Sequence, residues 1–82
     1  MKEIIITQGE IEYIFSYAYQ LIQQEAKYTT KSENNPNPFM AKMEYDLAQR
    51  YHNIQLGVED VIKIIGLELD FMDFLKSKYN NQ

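Results

Sequence analysis

The chain contains no cysteine. It can therefore build no disulfide framework, thiolate nucleophile or cysteine-based zinc site, and its stability has to come from packing or self-association. A reducing compartment suits such a chain, and a cytoplasmic location is expected. Glycine is scarce, and Gly9, Gly57 and Gly66 stand apart from one another, so there is no glycine-rich phosphate loop. His52 is the single histidine, and Gln49 occupies the position three residues before it. That breaks the Glu-x-x-His spacing of di-iron bundles, and the usual zinc sites also lack their ligands. Ser16, Ser32 and Ser77 have no nucleophile-elbow context. Long apolar runs are missing too. Ile4-Ile5-Ile6, after Lys2 and Glu3, is too brief for a signal peptide, and nothing approaches the roughly 18 unbroken apolar residues of a membrane span. The expectation is a non-enzymatic chain with no metal, cofactor or membrane partner.

Eighty-two residues make one helical domain, 1–82, and a chain so short buries only about 60% of the surface its unfolded form exposes. Twelve acids against eight bases leave a net charge of −4, which opposes approach to a phosphate backbone. Arg50 is the only arginine, while lysine, asparagine, isoleucine and tyrosine are plentiful. This usage fits an AT-rich coding genome, such as that of a low-GC bacterium or one of its phages.

The residues that are present read as an all-α fold, a small bundle of about three helices behind a short extended N-terminal segment. Thr7-Gln8-Gly9-Glu10 forms a capping box, with Ile6 and Ile11 placed as a hydrophobic staple. Ile11, Ile14, Phe15, Ala18, Leu21, Ile22 and Ala26 then recur on one side of a helix over 8–27. Ile4 to Ile6 could instead be a strand that pairs across a dimer. The segment TTKSENNPNP, Thr29 to Pro38, has two prolines and no apolar residue, which predicts a mobile loop over 29–37. Asn37 and Pro38 close it as a helix cap and first helical residue.

A second helix is expected over 38–56, carrying Met40, Met43, Leu47, Tyr51 and Ile54, with an Asp46–Arg50 pair on its exposed side and Gly57 as its left-handed cap. A third is expected over 58–79. Its apolar residues fall in two stripes: Val58, Val61, Ile62, Ile65, Leu69, Met72 and Leu75 in one, and Ile64, Leu67, Phe71 and Phe74 in the other. A straight helix would set Glu68 at the edge of the first stripe, so a bend or break near Gly66 is expected.

Three functional readings follow. Asp70 and Asp73 have the i, i+3 spacing of magnesium-binding carboxylates, yet no second such pair or basic cluster accompanies them, and a solvated acidic strip is the plainer reading. Residues 58–77 fit the spacing of a helix-turn-helix, and a small transcriptional regulator is the alternative function. However, its second helix would point Glu68, Asp70 and Asp73 at phosphates, so nucleic acid is a disfavoured partner. His52, on a secondary face, reads as a packing or partner contact.

Surface-mediated protein binding is the leading reading, because seven tyrosines and a surplus of apolar faces suit an interface. The candidate partner-binding residues are Tyr13, Tyr17, Tyr28, Leu67, Glu68, Asp70, Phe71, Asp73 and Phe74. The expected partners are a second copy, as a homodimer, and another protein. A sharper version is a phage or mobile-element inhibitor that offers Glu59, Asp60, Glu68, Asp70 and Asp73 in place of phosphates.

Overall fold

Thr7 opens the first helix as its flanking sequence dictates. The Glu10 amide donates to Thr7 Oγ1 (3.2 Å), and the Thr7 amide and hydroxyl both donate to Glu10 Oε1, at 3.1 and 2.9 Å. Two otherwise orphaned helix-start amides are satisfied in this way. The computed structural model describes residues 5–80. These form α1 (Gln8–Asn34), α2 (Pro38–Ile64) and α3 (Glu68–Asn80), with no strand among the described residues. Ile4 lies outside them, Ile5 is exposed and Ile6 is half-buried.

The first helix does not end at Lys27. It runs to Asn34, so most of the segment expected to be a loop is helical and the connection shrinks to Asn35, Pro36 and Asn37. Ser32 and Asn35 of that stretch, and Tyr28 just before it, contact the second helix. Tyr28 stacks on Tyr51 with ring centroids 5.8 Å apart, and Ser32 Oγ donates to the Ala41 carbonyl at 2.7 Å. Proline sets the end: Asn35, preceding Pro36, is pushed into extended backbone (φ −85°, ψ 120°). Its side chain then works in both directions, donating to Glu44 and accepting from the Asn37 amide. Asn37 caps α2 by accepting from the amides of Phe39 and Met40, with Pro38 in the first turn.

The second helix likewise overruns its expected stop. Gly57 is helical and not a left-handed cap, and α2 continues to Ile64. Helical phase explains this. Ala48, Tyr51, Gln55, Val58 and Ile62 alternate by three and four residues and are all buried or half-buried, so a break at Gly57 would throw Ile62 off the side that meets α1. That coherence outweighs the roughly 1 kcal/mol that a helical glycine costs.

The break falls at Gly66, where a bend was expected. Gly66 has φ 79°. Its amide donates to the Lys63 carbonyl (3.1 Å), and the Leu67 amide donates to that of Ile62 (3.0 Å), the bond pair of a Schellman motif. The accompanying apolar contact is present, since Leu67 packs on the cluster that contains Ile62.

That cluster is the core. Phe15 and Ala18 of α1, Ile62 of α2 and Phe71 of α3 are buried together, flanked by Ile11, Ile14, Val58, Leu67, Phe74 and Leu75. Phe15 meets Phe71 and Phe74 at centroid distances of 5.2 and 5.5 Å. α3 therefore covers one face at one end of the α1–α2 hairpin, and the other end is two helices thick, joined through Leu21, Ala48 and the Tyr28–Tyr51 stack. The result is elongated, 53 × 33 × 17 Å with a radius of gyration of 15.6 Å, where a compact chain of this length would have about 12 Å.

Replacing Thr7 with Ala should lower unfolding stability by about 1 kcal/mol in a denaturant titration. The Thr7 amide, and secondarily its hydroxyl, hold the Glu10 carboxyl below its usual range. A lowered folded value means stability that is present above the ordinary carboxylate range and lost as pH falls through the folded value. Glu10→Gln should remove that part of the acid dependence in melts run from neutral pH downward. At Gly66, substitution by Ala should cost about 1–2 kcal/mol, the penalty of a side chain in left-handed backbone.

Candidate partner-binding face

Helical periodicity and exposure together locate the uncovered apolar surface. Along α2, positions 40, 43, 47, 50, 54, 57, 61 and 64 alternate by three and four residues and are occupied by Met, Met, Leu, Arg, Ile, Gly, Val and Ile. Leu47 is half-buried and the other seven are exposed. This is a heptad seam about 36 Å long at 1.5 Å per residue. It is offset from the α2 side that carries Ala48, Gln55 and Ile62, the side that meets α1.

Tyr13 and Tyr17 of α1 fall on the same side of the hairpin. α3 packs where Phe15 and Tyr19 project, and Tyr19 contacts Phe74 and Tyr79 edge-on. Tyr13 and Tyr17 lie roughly half a turn away from those rings. Tyr13 is 73% exposed and Tyr17 42%. On α2, Glu59 and Lys63 border the groove to α3, whereas Met43, Leu47, Ile54 and Val61 point the other way. The hairpin thus buries one face under α3 at one end, and its opposite face is apolar along α2 and carries Tyr13 and Tyr17 on α1.

The other candidate residues are distributed differently from the grouping expected. Phe71 is 5% exposed, and Leu67 and Phe74 pack against the same core, so these three hold α3 in place. The exposed apolar residues of α3 are Leu69 (76%), Met72 and Tyr79, so the stripe of Val58 to Leu75 is partly outside, whereas Leu67, Phe71 and Phe74 of the other stripe, expected to bind a partner, are inside. Tyr28 is half-buried in its stack on Tyr51, with the Lys27 and Lys31 ammonium groups 5.6 and 5.3 Å from its ring centroid.

The acids do not form a single strip. Glu59, Asp60 and Glu68 border one groove together with Lys63, while Asp70 and Asp73 border another with Glu12, on the far side of Phe71. Among the described residues, no three His, Asp or Glu side chains converge closely enough to hold a metal ion. No described helix is long and apolar enough to cross a membrane.

His52 is a contact within the hairpin. Its Nδ1 lies 2.8 Å from Glu25 Oε1 of α1, out of line for a hydrogen bond, so the two side chains meet across the hairpin without a directed bond. Gln55 beside it donates to Glu59 Oε1 at 3.1 Å. Sequence reading missed the seam because it ended α2 at Leu56; the signal was the unbroken three-and-four spacing across Gly57. No known protein family, curated protein or solved structure matches this chain.

The two sides of α3 should respond differently to truncation. Phe71→Ala should cost about 3–5 kcal/mol, as for a buried aromatic, whereas Leu69→Ala should stay within about 0.5 kcal/mol, both read by chemical denaturation.

Proposed function

We propose that this chain is a non-enzymatic protein–protein interaction module, and that its working surface is the apolar face of the α1–α2 hairpin turned away from α3. The observation that carries this reading is the seam Met40, Met43, Leu47, Ile54, Val61 and Ile64, aligned along one helix and exposed among the described residues except for half-buried Leu47. Contiguous apolar surface of this kind mostly marks an interaction site. Tyr13 and Tyr17 extend it with side chains that give large contact area at low entropic cost. Two exposed methionines, Met40 and Met43, add an adaptable edge.

One observation favours a second reading. The Ile65-Gly66-Leu67 turn joins two helices as a helix-turn-helix requires, which keeps a DNA-binding regulator as the rival. Glu68, Asp70 and Asp73 at the exposed start of α3 oppose it, because acids there repel phosphate. Binding to DNA that falls steeply with added salt and depends on Lys63, Lys76 and Lys78 would favour the rival.

The test of the leading reading is Ile54→Lys combined with Val61→Lys. Both sites are about half exposed, so the melting temperature should move by only a few degrees. Cross-linked species formed by the tagged wild-type chain in extract of its source cells should disappear with the double variant. Retention of every such species would overturn the assignment of this face.

A further inference from the structure

We infer that the occupant of the seam is a second copy of this chain, with the two α2 helices antiparallel and Leu47 of each copy seated over Gly57 of the other. This rests on the proposed interaction face and specifies its partner. The seam is self-complementary in one direction only. In an antiparallel pair centred between Arg50 and Ile54, the facing layers are Met40 with Ile64, Met43 with Val61, Leu47 with Gly57, and Arg50 with Ile54. Each layer couples an a position to a d position, the arrangement that antiparallel knobs-into-holes packing requires.

The largest mismatch in side-chain size along the seam, Leu47 against Gly57, becomes a fit, because the missing side chain leaves room for leucine. Arg50 can lay its methylene stem along Ile54 and keep its guanidinium at the rim, with Asp46 one turn back on its own helix. A parallel pair would instead oppose Gly57 to Gly57, leaving a void where the antiparallel pair seats Leu47.

Size agrees with stable association. The seam is about 36 Å long, and two helices side by side at about 10 Å spacing are about 20 Å across. That footprint of about 700 Å² per copy is close to the roughly 800 Å² per partner of a standard interface. Stacking the hairpins in this way sets α1 over α1 and forms a four-helix layer with α3 on each outer face.

Gly57 makes the register testable without disturbing the monomer. A side chain added there meets nothing within 4 Å, and its backbone is ordinary helix. Light scattering and sedimentation should find a wild-type dimer in the micromolar range. Gly57→Leu should keep full helicity by circular dichroism, melt no lower than wild type when diluted, and weaken dimerisation at least tenfold.

Leu47→Cys combined with Gly57→Cys should oxidise to a covalent dimer. The two positions lie about 15 Å apart on one helix, beyond the roughly 7 Å limit for a disulfide, so any bond between them joins two chains. Gly57→Cys alone should not cross-link. A dimer that tolerates Gly57→Leu, or that cross-links through the Gly57→Cys substitution alone, would overturn this register while leaving the interaction face in place. A wild-type chain that stays monomeric up to sub-millimolar concentration would overturn the second copy. The interaction face itself is then read separately, by whether the double lysine variant loses its cross-linked species.

Discussion

The turn at Gly66 is the constraint on which the rest of the molecule depends. Left-handed backbone there lets the amides of Gly66 and Leu67 reach the Lys63 and Ile62 carbonyls, and this reverses the chain sharply enough to bring Phe71 back onto Phe15. Without it, residues 58–79 would continue as one amphipathic rod, with two apolar stripes and no α3 to close the end of the hairpin. The core of Phe15, Ala18, Ile62 and Phe71 comes together because one residue in the chain adopts a conformation that favours glycine.

Closing that end leaves another surface open. A third helix of 13 residues cannot blanket two helices of 27, so the chain is long and thin and its buried set is small. The hairpin's far half is held by contacts that suit a two-helix ribbon: a stacked tyrosine pair, a serine bonded to a carbonyl, and a histidine beside a glutamate, each at the margin of water. These contacts need little burial, which is why a segment without apolar residues can still extend α1 by two turns. The same geometry turns the α2 seam toward solvent with only Arg50 and Gly57 interrupting it.

Legibility in the sequence followed the range of the forces involved. The Thr7–Glu10 box, the Asn37–Pro38 start and the departure from helix at Gly66 are local, settled by atoms within a few residues, and each could be read from its neighbours. The continuation of α1 past Lys27 and of α2 past Leu56 was not, since Thr29 to Asn34 and Gly57 are locally poor helix formers. Packing across the hairpin, at Tyr28 and Ser32 on one side and Val58 and Ile62 on the other, outweighs their propensities. Merging α2 across Gly57 also re-sorted the surface. Val61 and Ile64, expected on the third helix, joined Met40 to Ile54 in one line, while Leu67, Phe71 and Phe74, expected outside, went to the core.

The sequence by itself determined that this is an all-helical chain, and it determined where helices may start and where the last one must turn. Capping, proline restriction and left-handed glycine act within four or five residues and need no tertiary partner. Which apolar stripe becomes core was decided only by the tertiary structure. Both stripes of residues 58–79 are apolar enough to be buried, and the choice between them was made by the direction in which Gly66 sends α3. That direction put Phe71 on Phe15 and left the seam of α2 facing outward.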